Sequence, residues 1–262
     1  MSNDLFKAAT ARISAPESYT ADDIEVLEGL EPVRRRPGMY IGGTDESAMH
    51  HLISEVFDNA MDEAVAGYAT RIDVILEMGN RLTVKDNGRG IPVDAHPKYP
   101  DKSALEVILT TLHSGGKFSD KAYQTSGGLH GVGISVVNAL ASELLVEVAR
   151  NKTLYQQHYA RGAAISTLEV VGNAPNRRGT TISFVPDKEI FGNHQFRPAR
   201  IFAFVRSKAY LYKGVEIRWQ CAPELVEGSE TPVEATLHYP KGLRDFLDTE
   251  LFGRGLIAQV FE

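Results

Sequence analysis

Three polar side chains stand four residues apart in the stretch from His51 to Ala64: Glu55, Asn59 and Glu63. On a helix each lies about 40° around the axis from the last, so the three project to one side. A carboxylate and a carboxamide one turn apart can share a small hard cation and a water. The amide oxygen is a neutral ligand for Mg2+, and the carboxylate can take a proton from the water. A solvated acidic face would use the same residues, but an Asn in mid-helix has poor intrinsic propensity, which argues for a use. A second group is Asp86-Asn87-Gly88-Arg89-Gly90-Ile91-Pro92. An Asp held at a strand end can accept a hydrogen bond from an exocyclic amine, and the glycines let a flat ring approach the backbone. Taken alone, this spacing is more often a plain turn. A third group, Gly127-Gly128-Leu129-His130-Gly131-Val132-Gly133, runs into an apolar helical pattern. Glycine amides at a helix start suit di- and triphosphate oxygens. The loop lacks the Gly-Lys-Ser/Thr of a Walker A motif, and a glycine-rich loop rather than a strand precedes it, so it is not a dinucleotide fingerprint either. In order, these are a metal-and-water helix, a ring-binding Asp loop and a phosphate loop: the parts of a nucleotide site.

The elements that must position these groups follow from the apolar spacing. Leu52/Ile53, Val56/Phe57, Ala60/Met61 and Ala64/Val65 repeat near four, which predicts an amphipathic helix. Asp45 or Ser47 can cap its start and Gly67 can end it. Upstream, 21–30 reads as a short helix, and Arg36-Pro37-Gly38 as a turn. Alternation at Ile72, Val74 and Leu76 predicts a strand over 71–78, which Gly79-Asn80 turns into a second strand over 81–85. Residues 103–113 and 134–140 read as helices. Strands follow at 144–149, 155–161, 166–171, 180–185, 215–220 and 234–239, interrupted by one long helix over 198–210. Hairpin-length spacing implies antiparallel neighbours. The expected fold is α+β: a two-layer sandwich with a mixed, mostly antiparallel sheet and helices on one face.

Composition is that of an ordinary globular chain of 262 residues, 43% hydrophobic and 24% charged. No apolar run approaches the roughly 18 residues that a membrane span needs, and the first twenty residues lack a signal-peptide pattern. The single cysteine, Cys221, excludes internal disulfides and a cysteine metal site; it fits a reducing, cytoplasmic setting and reads as a buried small hydrophobe. A net charge of −6 argues against this chain being a DNA-binding surface by itself. The short run Arg34-Arg35-Arg36 reads as salt-bridging, with phosphate contact as the other option.

These blocks resemble the GHKL ATPase superfamily, whose members include type II topoisomerases, a heat-shock chaperone, sensor histidine kinases and a mismatch-repair ATPase. Glu31 through Gly42, Leu112 through Phe118 and Ser126 through Leu140 are similar almost word for word to the B subunits of bacterial type IIA topoisomerases, and the resemblance covers about 19–262. Of the two bacterial branches, Lys208 through Ile217, Gly242 through Leu247 and Gln124 resemble topoisomerase IV more than DNA gyrase, which stays the alternative.

The resemblance implies the Bergerat ATPase fold, ATP and Mg2+ as cofactors, and the following roles. Glu55 would be the general base and His51 would orient it. Asn59 would bind Mg2+. Asp86 would accept from the adenine amine with Thr180 in its water-linked network, beside Gly90, Ile91 and Pro92. Glu63 and Arg89 would pair at the pocket mouth, and Arg150 would line the outer pocket. Lys117, Tyr123 and Gly128, Leu129, His130, Gly131, Val132 and Gly133 would form lid and phosphate cradle. Tyr19 and Ile24 would belong to an arm reaching into a partner. It further implies a flexible arm over 1–18, the ATPase domain over 19–234, and over 235–262 the start of a transducer domain whose phosphate-seeking lysine lies further on. Partners would be a second copy of the B subunit, the A subunit of topoisomerase IV and, in the holoenzyme, DNA. Left to their residues alone, His51 reads as a capping group, Thr180 as a strand Thr and Arg150 as a strand-end charge. A non-hydrolysing, ATP-switched dimerisation module is the rival of another class; the Glu55/His51 pair speaks against it, since a pure switch needs no base.

Overall fold

A computed structural model describes residues 26–114 and 133–251. In chain order the elements are α1 (Glu31–Arg35), α2 (Gly38–Ile41), α3 (Glu46–Val65), β1 (Arg71–Glu77), β2 (Arg81–Asp86), β3 (Ala95–His96), β4 (Tyr99–Ser103), α4 (Ala104–Thr110), α5 (Gly133–Ala139), β5 (Ala141–Arg150), β6 (Thr153–Ala160), β7 (Ala163–Ala164), β8 (Glu169–Asn173), β9 (Gly179–Pro186), α6 (Lys188–Phe191), α7 (Pro198–Leu211), β10 (Glu216–Cys221), α8 (Pro223–Val226), β11 (Glu234–Leu237) and α9 (Leu243–Glu250). The main sheet runs β11-β10-β1-β2-β9-β5-β6-β7, with β8 also on β6. Only the β1–β10 pair among its ladders is parallel, in register from Arg71 with Glu216 to Leu76 with Cys221. The result is the α+β, mostly antiparallel architecture expected from the strand spacing.

Burial explains the layering. In β1 and β2 every second residue is buried: Ile72, Val74, Leu76, Leu82 and Val84. Period-two burial puts these side chains on one face. There they join the stripe of α3 (Leu52, Ile53, Val56, Phe57, Ala60, Met61) in one core with Val136 and Val137 of α5 and Ile201, Val205 and Ala209 of α7. The Asp45 carboxylate accepts from Ala48 N at 2.8 Å and caps α3. Ser47 instead accepts from Arg200 of α7 at 2.8 Å. His50, buried, fastens the same end: Nδ1 donates to Glu46 O at 2.7 Å and Nε2 accepts from Arg197 N at 2.8 Å. Burial holds its pKa below the ordinary histidine value.

Three expectations differ from what is found. The helix over 21–30 is not continued in its described part: 26–28 carry no regular structure and Gly29 turns at a φ of 60°. The helix begins only at Glu31, where Pro32, lacking an N–H, suits a first turn. Of the strand placed over 166–171 only 169–171 are extended, as the start of β8; 166–168 are irregular, and the two-residue β7 lies before them, both β7 and β8 pairing with β6. The small hairpin β3–β4 was not anticipated, because Tyr99-Pro100-Asp101-Lys102-Ser103 has no alternating apolar pattern. No helix among the described residues is long and apolar enough to cross a membrane.

Candidate functional site

β2 delivers Asp86 to the same buried face as Leu82 and Val84, the face that α3 covers. The residue is only 6% exposed. Its Oδ1 accepts from Gly88 N at 2.7 Å and its Oδ2 from Thr180 N at 3.3 Å. Burial pushes the carboxyl up to about 6, against those two amides, with Glu63 adding to the rise. The neighbouring β9 comes so close that a side chain at position 179 would collide with the Asp86 carbonyl, and Gly179 has a φ of 105°; only glycine meets both conditions. Thr180 Oγ1 accepts from Ile91 N at 3.2 Å, and Arg150 Nη1 donates to Gly90 O at 2.8 Å, so β9 and β5 both hold the loop that follows Asp86. Pro92 follows on the surface. Asn87 ties the other side: its Oδ1 accepts from Thr70 N at 2.8 Å and Arg71 N at 3.0 Å.

Glu63, on the polar face of α3, meets the loop that follows Asp86. Glu63 receives Arg89 through its backbone N (2.9 Å), Nε (3.2 Å) and Nη2 (2.7 Å). The guanidinium also lies 3.7 Å over the Tyr68 ring. Eight residues back along α3, about 12 Å by helix rise, Glu55 Oε1 stands 3.2 Å from His51 Nε2. This hydrogen bond raises the His51 pKa, against partial burial that lowers it. α5 begins against the same carboxylate: a side chain on Gly133 would overlap Glu55 Oε2. Between the two ends, Asn59 Nδ2 donates to Glu55 O at 2.9 Å, and among the described residues its carboxamide oxygen accepts no hydrogen bond. No cluster of three or more His, Cys, Asp or Glu among the described residues could hold a metal alone.

Of the residues singled out from the sequence, the fold brings together His51, Glu55, Asn59, Glu63, Asp86, Arg89, Gly90, Ile91, Gly133, Arg150 and Thr180, with Pro92 at the rim. Tyr19, Ile24, Lys117, Tyr123, Gly128, Leu129, His130, Gly131 and Val132 lie outside the described residues. Sequence reasoning gave no role to Asn87, Gly179 or Tyr68. Gly179 had a usable signal, since it directly precedes Thr180. Tyr68, three residues beyond the helix and meeting Arg89 through a ring face, had none. The arginine run resolves into contacts of distinct kinds: Arg34 reaches Asp187 at 2.8 Å, and Arg35 pairs with Glu31 at 3.0 Å.

Comparison with known proteins gives the site a context. Residues 44–190 match the family described as histidine kinase-, DNA gyrase B-, and HSP90-like ATPase. The B subunit of DNA topoisomerase 4 from Bartonella bacilliformis is 58% identical over 247 residues, which is 93% of this chain and 36% of that protein. Its counterpart from Caulobacter vibrioides is 59% identical over 236 residues, 89% of this chain and 34% of that protein. The B subunit of DNA gyrase from Thermus thermophilus is 55% identical over 204 residues, 78% and 32% respectively. The chain thus spans about a third of the length of the curated relatives it matches. Among solved structures, the 43K ATPase domain of Thermus thermophilus gyrase B, in complex with an aminocoumarin, superposes with a TM-score of 0.75 at 43% identity, covering 88% of this chain and 57% of that one.

Proposed function

The chain belongs to the histidine kinase-, DNA gyrase B- and HSP90-like ATPase family, and from that premise we propose that it is the ATP-binding and ATP-hydrolysing part of the B subunit of a type IIA DNA topoisomerase, of the topoisomerase IV branch. The observation that carries this reading is the α3 face that runs from beside the buried Asp86–Thr180 pair to the Glu55–His51 pair. One end has the chemistry to read a base. The other has the chemistry to activate a water. The similarity to topoisomerase 4 B subunits supports the branch.

In this reading the adenine amine donates to Asp86, and Thr180 shares that contact. The triphosphate extends along α3 toward Glu55. Glu55 takes a proton from the water that attacks the γ-phosphorus, while the bond to the β-phosphate oxygen breaks and ADP leaves. His51, hydrogen-bonded to Glu55, fixes the direction of that carboxylate. The residues present fit a Mg2+: Asn59 offers one neutral oxygen, and such an ion takes its other ligands from phosphate and water. Asn59 would hold it, and when bound it neutralises phosphate charge. Glu63 and Arg89 frame the pocket mouth, with Arg150, Gly90, Ile91 and Pro92 at its outer side. Lys117, Tyr123 and Gly128 to Gly133 supply lid and phosphate cradle, and Tyr19 an arm to a partner.

Residues 19–234 then make the ATPase unit, with an arm before it and the start of a transducer domain from 235. ATP binding closes two copies of the B subunit into a gate, and turnover reopens it for strand passage, decatenation and relaxation. The further partners of the whole cytoplasmic enzyme are DNA and the A subunit. The test is a decatenation and ATPase assay on the complete B subunit together with the A subunit, with an aminocoumarin as competitor of ATP. ATP-dependent decatenation, blocked by the aminocoumarin, is the expected result. ATP-dependent negative supercoiling would move the protein to the gyrase branch, and absence of nucleotide binding would overturn the reading.

A further inference from the structure

Arg34 lies outside the group of site residues, yet its guanidinium ends on the helix that faces Glu55. Nη1 donates to Ala139 O, at the last residue of α5, at 2.7 Å. Nη2 donates to Asp187 Oδ2 at 2.8 Å and to Glu189 at 3.3 Å. The last carbonyls of a helix have no partner within it. Here each is taken up from outside α5: Asn138 O by Gly162 N at 3.0 Å, Ala139 O by Arg34, and the following Leu140 O by Asp187 N at 2.9 Å. Among the described residues Arg34 alone does so with a side chain, and with a charge that suits a helix C-terminus.

We propose that Arg34 is a positioning residue for ATP hydrolysis: by fixing the C-terminal end of α5 it sets where Gly133 stands against Glu55. The inference rests on the ATPase reading above. The whole helix is about 9 Å from Gly133 to Ala139, and Ile134 through Ala139 are all buried. So short and enclosed a helix moves as one body. At its other end the Gly133 backbone stands so near the Glu55 carboxylate that an added Cβ would overlap Oε2. A displacement of α5 therefore moves the backbone that the Glu55 carboxylate lies beside, and misplacement by about 1 Å can cost on the order of a hundredfold in rate. The planar fork matters. It reaches a carbonyl and a carboxylate at once, whereas a lysine ammonium holds one position. Asp187 does not depend on Arg34, since Arg161 Nε also donates to Asp187 Oδ2 at 3.0 Å and its Nη2 meets Glu189 at 2.8 Å. The acidic cluster is thus shared by two arginines, and of the two Arg34 is the one whose side chain donates to α5.

That difference supplies the control. Arg34→Lys and Arg161→Lys each remove one guanidinium from Asp187, but only the first frees Ala139 O. Amide hydrogen exchange is measured over 133–140, 81–86 and 179–186 in the full chain, and kcat and ATP affinity in the complete subunit. Arg34→Lys is expected to exchange faster over 133–140 alone, to lose about tenfold in kcat, and to keep nucleotide affinity within about threefold. Arg161→Lys is expected to lower the melting temperature similarly and to leave kcat unchanged. Equal kcat in both variants, or unchanged exchange over 133–140 in Arg34→Lys, would overturn the proposal. Failure of the ATPase reading would show itself differently, as no Glu55-dependent turnover in the unmutated subunit. That result would overturn the catalytic half as well, and the exchange data would still decide whether Arg34 holds α5.

Discussion

At the Asp86 end of the site the polar groups are buried and held by backbone. Amides of Gly88 and Thr180 point at one carboxylate, and strands β2 and β9 pass too close for any side chain at Gly179. At the Glu55 end, on one helix, the side chains of His51 and Glu55 are 45% and 31% exposed. Sheet strands cannot move apart without breaking ladders, so the first end is suited to selecting a flat ring by shape and one hydrogen bond. A helix surface leaves the second end open to phosphate, ion and water. The difference suggests that affinity resides at the strand end and rate at the helix end.

The sharpest test of that division is Glu55→Ala. Loss of a general base typically costs about 10²-fold or more in turnover. Because the pocket around Asp86 is untouched, ATP affinity should stay within about threefold. A parallel fall in affinity, measured by titration beside steady-state turnover, would break the division between the two ends.

The strand end should instead reveal itself in stability. Burial raises the Asp86 pKa from 3.8 to about 6, so the folded state binds its proton more tightly than the unfolded chain. The stability this proton confers is fully present below the unfolded value and is lost as pH rises through about 6. At roughly 1.4 kcal/mol per unit, the loss is up to about 3 kcal/mol. Urea unfolding from pH 4 to 7.5, in native chain and Asp86→Asn, isolates it: the difference between the two curves should shift toward the variant as pH rises. A difference that does not change with pH would mean that Asp86 keeps its charge at no cost, and that the strand end is not the strained one.

The same substitution should weaken nucleotide binding by about 1.5–3 kcal/mol, the usual worth of a hydrogen bond to a charged group. Asp86→Asn would then be a chain that holds its fold at neutral pH and loses its ligand. Unchanged ATP affinity would remove Asp86 from the base-reading role.

How much of this could be read in advance divides along the same line. The helix end is local: Glu55, Asn59 and Glu63 share one element, and a repeat near four displays their common side in the sequence itself. Most strands were legible from alternation for the same reason. The strand end is non-local. Asp86 meets Thr180 across the β2–β9 pairing, and nothing in either segment announces that partner; only the resemblance to a known family joined them. Arg34 and Ala139, or His50 and Arg197, are likewise neighbours only once the chain is folded. The parallel β1–β10 pair needs a crossover that hairpin spacing does not encode. Where a local signal misled, as in the described part of 21–30, the reading of a short helix lost to Gly29 and to the proline that starts the next turn.

The smallest effect expected is at His51. Its pair with Glu55 is an (i, i+4) contact at 3.2 Å between partly exposed side chains, and such pairs contribute about 0.3–0.5 kcal/mol once solvent screening is counted. The hydrogen bond to Glu55 raises the His51 pKa, so the contribution is complete below the ordinary histidine value and fades as pH rises through the raised one. His51→Gln should therefore leave urea unfolding almost unchanged at pH 8 and lower stability only slightly at pH 5.5, while turnover falls because Glu55 loses the group that fixes its direction. Should His51→Gln unfold the chain readily while preserving turnover, the helix end would be a structural contact, and the separation between a stabilising strand end and a reactive helix end would have to be abandoned.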